Sequence, residues 1–322
     1  MSKNEFDIIE KYFTFPVNRN DVVLAGGDDC AMVTVAEGEL LLVTTDTLVS
    51  GIHFPEKTSP QDIAYKSVMV NLSDLAAMGA RPAWLTLAIT MPDIDEQWLA
   101  SFSGELSSVL SQFNIALIGG DTTKGPLSIT IQAMGLCDSD KTLRRDTARP
   151  GDKIFVTGSL GAAAVGLLVV QNGIEDKVLQ PCVDDLNRPR ARVEFGQALT
   201  EYSSCAIDVS DGLIADLGHI LKASDRGAII KLSEIPLSSA TAYYYKHYND
   251  QLIDWDMVLT RGDDYELCFT ASADRVPEIY KLAEKHKLEV SCIGEISESN
   301  ELVCLDGDGN TVDISATGFR HF

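Results

Sequence analysis

Segments of strand length and strand composition alternate with helix-length segments twice along this chain. The two runs are separated by the turn cluster Ala148-Arg149-Pro150-Gly151-Asp152. Alternation of this kind packs as sheets covered by helices, so the expected class is α/β, built as two α+β domains over residues 1–148 and 149–322. At 322 residues the chain is long enough to bury two such cores. In the first run LAGGDDCAMVTV, ELLLVTTDTLV, WLTLAIT, IALIGGD and LSITIQAMGLC read as strands. A long helix opens at Pro60, runs through IAYKSVMVNLSDLAAMG and stops near Gly79, with Pro82 just beyond; proline inside the start and glycine past the end are the expected punctuation. An amphipathic helix spans residues 95–113. In the second run IFVTG, CAIDVSDG, YELCFTA and LEVSCIGEI read as strands, and residues 161–171, 189–202, LIADLGHILKAS and 274–286 as helices.

Charge narrows the partners. The chain holds 48 Asp and Glu against 26 Lys and Arg, a formal net charge of −22. Such a surface repels nucleic acid and anionic membranes, so neither is expected as a partner, and an anionic ligand needs an added cation. The seven cysteines are scattered and never spaced C-x-x-C, which fits reduced thiols packed as small hydrophobes. MSKNEFDIIEKYF lacks a signal-like apolar core, and the longest bland apolar stretch, residues 162–170, is far short of a membrane span. The expected location is the cytoplasm.

The recurring motif is a carboxylate beside glycines or hydroxyls at a strand end or loop: Gly26-Gly27-Asp28-Asp29, Thr44-Thr45-Asp46-Thr47, Asn71-Leu72-Ser73-Asp74, Gly119-Gly120-Asp121-Thr122-Thr123, Asp208-Val209-Ser210-Asp211-Gly212 and Gly262-Asp263-Asp264. Two carboxylates ~4 Å apart repel by roughly 4 kcal/mol at an effective dielectric near 20, so gathering several requires protons or cations. Oxygen donors without His or Cys companions suit Mg²⁺, and glycines let backbone amides approach an anion. Carboxylates, metal and glycines together are what a nucleotide polyphosphate needs. Taken singly, each cluster reads more readily as a turn or a helix cap. Asp74 is different: it lies late in an apolar helix, at the negative end of the helix dipole, with no capping task. Asp306, Asp308 and Asn310 imitate the start of a calcium loop, but Thr311 and Thr317 stand where Gly and Glu are needed, so DGDGN reads as a hairpin turn. No G-x-x-x-x-G-K-[ST], H-R-D, D-F-G or G-x-S-x-G motif occurs.

In this order, GGDDCAMV, TTDTLVSGIHF, AYKSVMVNLSDLAAMGARPAWL, IGGDTTKGPLSIT, RPGDKIFVTG, IDVSDGLIADL and GDDYELCFT resemble the thiamine-monophosphate kinase family, within the ATP-binding superfamily that includes aminoimidazole ribonucleotide synthetase and selenophosphate synthetase. The resemblance implies ATP-dependent phosphorylation of thiamine monophosphate to thiamine diphosphate, by direct in-line transfer of the γ-phosphate. It implies a homodimer whose N-terminal domains form a shared barrel-like sheet, an ATP site in a cleft beside the dimer interface, and several Mg²⁺ ions per site. It places metal on Asp29, Thr44, Thr45, Asp46, Asp74, Asp121, Asp208 and Asp211, with Asp29, Asp74 and Asp211 catalytic through that metal. ATP falls on Gly120, Asp121, Arg145 and Ser210, and the acceptor on His53, Asp263 and Phe319. Where the family usually has G-G-E-D-Y-E-L, this chain has Arg261-Gly262-Asp263-Asp264-Tyr265-Glu266-Leu267, a shorter acid and an added cation. A selenide or formylglycinamidine acceptor is the alternative within the superfamily, and a cation-binding protein without catalysis the alternative outside it. Residues 1–27 hold no cysteine of the kind selenophosphate synthetases carry ahead of the first G-D-D.

Overall fold

The structure is a computed structural model that describes residues 5–314 and Gly318. The chain divides into two compact units: residues 1–75 with 80–140, and residues 76–79 with 141–322.

The first unit contains helix α1 (Glu5–Tyr12), strands β1 (Val22–Leu24), β2 (Met32–Val33) and β3 (Glu39–Val49), helix α2 (Pro60–Ala77), β4 (Arg81–Met91), α3 (Glu96–Gln112), β5 (Ala116–Lys124) and β6 (Ser128–Asp138). Four strands form a sheet in the order β3-β6-β4-β5. β3 and β6 pair antiparallel over their full length, from Glu39 opposite Asp138 to Val49 opposite Ser128. β4 and β5 run parallel, as their connection through α3 requires. α3 starts on Asp95, whose side chain accepts the Gln97 and Trp98 amides at 2.9 and 3.1 Å. α2 starts on Ser59, whose Oγ accepts the Asp62 amide at 3.1 Å and donates to the Asp62 carboxylate at 2.8 Å, a reciprocal cap. One face of the sheet is buried through Leu87, Ile89, Ile129 and Ile131, together with Leu72 and Leu75 of α2 and Leu99 and Phe102 of α3.

LAGGDDCAMVTV is not one strand. Only Val22–Leu24 and Met32–Val33 are extended, paired with each other, and the glycines and acids between them form a largely exposed loop. Glycine pairs and charged residues cannot fill a pleated, half-buried ladder, so the pattern breaks there. Asp21 anchors the entry to this loop: it pairs with the Arg19 guanidinium and accepts Trp84 Nε1–H at 3.2 Å. The Arg19 charge holds the Asp21 carboxyl below its usual range.

The second unit contains β7 (Lys153–Thr157), α4 (Ala162–Asn172), α5 (Gln180–Asn187), α6 (Val193–Leu199), β8 (Cys205–Asp208), α7 (Leu213–Ser224), β9 (Gly227–Lys231), α8 (Ser239–Tyr248), α9 (Trp255–Thr260), β10 (Leu267–Ala271), α10 (Val276–His286), β11 (Val290–Ser297), β12 (Leu302–Leu305) and β13 (Thr311–Val312). Its seven strands form one mixed sheet in the order β13-β12-β9-β11-β7-β10-β8, in which only β12 and β9 pair in parallel. Phe155 of β7 stacks on Phe269 of β10 at 5.1 Å between ring centroids. The helix expected over residues 189–202 forms only over Val193–Leu199, because the chain enters it through Pro189 after Arg188 has closed α5. DGDGN is the hairpin between β12 and β13: the Asp306 carboxylate accepts the Asp308 and Asn310 amides at 2.9 and 2.8 Å. The last two residues of α2 and the turn after it belong here, since Ala76–Gly79 pack with this unit. The Leu143 amide bonds the Met78 carbonyl at 3.3 Å, and Gly196 lies so close to Ala76 that a Cβ there would stand 2.2 Å from its carbonyl oxygen. Of the seven cysteines, five are buried, Cys292 is half-buried and Cys30 is exposed.

Candidate active site

The expected site residues fall in both units. In the first, β3 supplies Thr44, Thr45 and Asp46. Strand alternation puts Thr44 and Asp46 on the face that carries buried Leu48, and Thr45 on the opposite one, where Gln132 Nε2 reaches its Oγ1 at 3.4 Å. Asp74 comes from the last turns of α2 to meet the first face: the Thr44 hydroxyl donates to its Oδ2. From residue 66 to the helix end, Asp74 is the single position that is not buried, so the carboxylate occupies a window in an otherwise enclosed helix. The sequence reading of Asp74 as a carboxylate without a capping task holds, and its hydroxyl partner on β3 is new.

β5 supplies Gly120 and Asp121. Gly120 lies against β4, where a Cβ would stand 1.9 Å from the Leu87 carbonyl oxygen, so only glycine fits. The register aligns Asp46, Ile131, Leu87 and Gly120 in one row across the sheet. Asp121 is one residue on, exposed, on the opposite face from Asp46 and about 14 Å away at ~4.8 Å per strand. Its carboxylate accepts the Thr122 amide at 2.9 Å. β3 and α2 therefore bring Thr44 and Asp74 into contact, with Asp46 on the same face of β3 as Thr44, and the sheet holds Asp121 on its opposite face. Asp29 lies in the exposed loop after β1, where its amide donates to Asp28 at 2.8 Å. His53, in the turn after β3, accepts the Val49 amide on Nδ1 at 2.9 Å, which leaves Nε2 as the protonated nitrogen of the neutral ring.

In the second unit, buried Asp208 ends β8, and Ser210 and Asp211 follow it, half-buried, ahead of α7. Against them runs the 261–265 segment. The Asp263 amide donates to the Ser210 carbonyl and the Tyr265 amide to the Val209 carbonyl, each at 2.8 Å. Gly262 is pressed onto Ser210 so closely that a Cβ would stand 2.0 Å from its carbonyl oxygen, at φ +67°. Asp263 and Tyr265 share the left-handed region, at φ 65° and 52°. For residues with side chains that conformation is costly and persists only when its surroundings enforce it. Two acids enforce it. Asp264 accepts the Gly161 amide at the start of α4 at 3.0 Å, and burial lifts its carboxyl well above the usual range. Glu266 pairs with the Arg192 guanidinium and accepts the Thr157 hydroxyl at 2.6 Å. Phe319 lies outside the described residues.

Sequence reasoning missed Asp216. It is 2% exposed, and its Oδ2 accepts both the Ser210 and the Asp211 amides, at 2.9 and 3.0 Å. Burial pushes its carboxyl up to about 7; the two amides and the nearby Arg145 charge pull the other way. Its spacing, one turn into the helix after Asp211-Gly212, was a usable signal. Arg145 is itself exposed, whereas its neighbour Arg144 is committed to Asp146 through two bonds of 2.9 and 2.7 Å.

The donors on these segments are oxygens, the chemistry that Mg²⁺ takes. Among the described residues no three His, Cys, Asp or Glu side chains gather closely enough to cage an ion. Mg²⁺ does not require a cage: it keeps several waters and binds one or two carboxylates plus substrate phosphates. The all-oxygen set of Thr44, Asp46 and Asp74 fits that habit.

Residues 27–137 match the model of the AIR synthase related protein N-terminal domain, and residues 149–306 that of its C-terminal domain. The thiamine-monophosphate kinase of Escherichia coli (strain K12) is 45% identical over 331 aligned positions, covering 100% of this chain and 99% of the relative. The crystal structure of the thiamine-monophosphate kinase from Stenotrophomonas maltophilia K279a superposes with a TM-score of 0.84 at 42% identity, covering 92% of this chain and 93% of that one. AaThiL complexed with AMPPCP and TMP gives a TM-score of 0.80 at 26% identity, over 98% and 96%. With both units matched and the carboxylate motifs in place, this chain belongs to the thiamine-monophosphate kinase family.

Proposed function

We propose that this chain transfers the γ-phosphate of ATP in line to thiamine monophosphate, giving thiamine diphosphate and ADP. The observation that carries the reading is the 45% identity to a relative of that name along its whole length. A related fold complexed with AMPPCP, a methylene analogue of ATP, and TMP supports the pair of substrates. An acceptor phosphate oxygen, anionic near neutral pH, attacks Pγ, and the bond from Pγ to the β–γ bridging oxygen breaks. No strong general base is needed; the obstacle is holding two anions together. Gly120 offers close backbone approach to the nucleotide, Ser210 its hydroxyl, and Arg145 a forked donor for the phosphates. His53 Nε2–H, Asp263 and Phe319 take the acceptor. Asp29, Thr44, Thr45, Asp46, Asp74, Asp121, Asp208 and Asp211 would hold Mg²⁺, several ions per site, which neutralises the two phosphates and the charge of the transferring group. A coupled assay with ATP, Mg²⁺ and a panel of thiamine, thiamine monophosphate and aminoimidazole-type acceptors tests this. ADP release is expected with thiamine monophosphate only, and is expected to stop with excess EDTA. Release with an aminoimidazole-type acceptor, or none with thiamine monophosphate, overturns it.

The reading includes a cytoplasmic homodimer whose four-stranded sheets pair into a shared barrel-like sheet. Among the described residues no helix is long and apolar enough to cross a membrane. β3 lies at the sheet edge and exposes Leu40, Leu41 and Val43 at 45%, 45% and 53%. A long apolar edge strand left open is a pairing site. Light scattering is expected to give a dimer mass for the parent chain and a monomer mass for the Leu41→Glu/Val43→Glu variant. A monomeric parent at micromolar concentration rejects the dimer.

A further inference from the structure

Ser210 is held through both of the peptide units that flank it. Its amide donates to Asp216 Oδ2 at 2.9 Å, and its carbonyl accepts the Asp263 amide at 2.8 Å. The next amide, that of Asp211, also ends on Asp216 Oδ2, at 3.0 Å. Asp216 is nearly sealed from solvent at 2% exposure and sits in the first turn of α7, where a carboxylate is favoured by the helix dipole. One oxygen thus fixes two consecutive peptide planes. Those planes in turn fix the 261–265 segment, whose Asp263 and Tyr265 occupy a backbone region they would leave if released.

We propose that Asp216 is a positioning residue that locks the Ser210–Asp211 loop and, through the Ser210 carbonyl, the Gly262–Asp263 loop into one unit. This rests on the reading above, in which Ser210 and Asp211 face the nucleotide and its metal and Asp263 the acceptor. On that reading the two substrates' loops share one anchor, outside the reacting atoms, in addition to the bonds by which Asp264 and Glu266 brace the second loop. Loosening the anchor disturbs the binding of both substrates together, rather than that of one. The acceptor oxygen matters more than its charge, because asparagine places a carbonyl oxygen where Oδ2 stands.

The test uses the full chain with Asp216→Ala and Asp216→Asn. Amide hydrogen exchange without ligands is read at Ser210, Asp211, Asp263 and Tyr265. Alanine is expected to speed all four by tenfold or more, and asparagine to restore them to within about threefold of the parent. In steady-state kinetics alanine is expected to raise KM for ATP and for thiamine monophosphate together and to lower kcat by tenfold or more, with asparagine recovering most of both. Exchange that changes at Ser210 and Asp211 but not at Asp263 and Tyr265 overturns the coupling. Alanine exchange equal to the parent's overturns the anchor. If the parent shows no turnover, exchange alone decides this proposal, and the kinase reading falls separately.

Discussion

Asp74→Asn is expected to lower turnover by about 100- to 1,000-fold while leaving the melting temperature within a few degrees of the parent. Asparagine keeps the size of the side chain, and its carbonyl oxygen can still accept the Thr44 hydroxyl that meets Asp74 Oδ2. What it removes is a negative charge at the one window in the buried part of α2. A carboxylate there faces the negative end of the helix dipole, so it contributes nothing to helix stability that asparagine would forfeit. On the reading proposed above, a cation meets that charge. Coupled-assay kinetics beside a circular-dichroism melt check the result, and near-parent turnover would remove Asp74 from the reaction.

The second large effect is on stability. Arg192→Ala is expected to cost about 3–5 kcal/mol of unfolding free energy, because it strands Glu266 in the interior. The Glu266 side chain is only 8% exposed; Arg192 gives it both bonds of a fork, and Thr157 adds a third at 2.6 Å. Replacing both members, Arg192→Met with Glu266→Gln, is expected to return a good part of that loss, since no charge is then left unpaired. Urea denaturation followed by fluorescence measures both variants. A loss under 1 kcal/mol for the single variant would mean that water reaches Glu266.

Much of the frame was legible in the sequence, for identifiable reasons. α2 announced itself through Pro60, its apolar run and Gly79, signals that act locally and survive in any context. The break of LAGGDDCAMVTV into two short strands was not read, because apolar flanks on both sides concealed a glycine-acid loop between them. α8 carries no strong period and α9 is only six residues long, and both owe their existence to the core they cover. The carboxylate motifs marked candidate segments, but not how a sheet sorts them. Only the register of four strands reveals that Asp46 and Asp121 lie on opposite faces. Arg192 lies outside every motif and Asp264 inside one, yet both act by what they reach across the chain, Glu266 and the Gly161 amide, a long-range fact that local spacing does not encode.

Ala76–Gly79 belong with the second unit although the chain before and after them belongs with the first. The polypeptide therefore passes from one body to the other three times, and no single cut yields two complete pieces. A fragment ending near residue 140 keeps those four residues but loses Leu143 and Gly196, against which they rest, while the complementary fragment is left with an unfilled slot beside α6. Protease nicking in that region should accordingly give fragments that copurify and lose activity only when denatured, as a splice of interlocked segments behaves, rather than two autonomous modules.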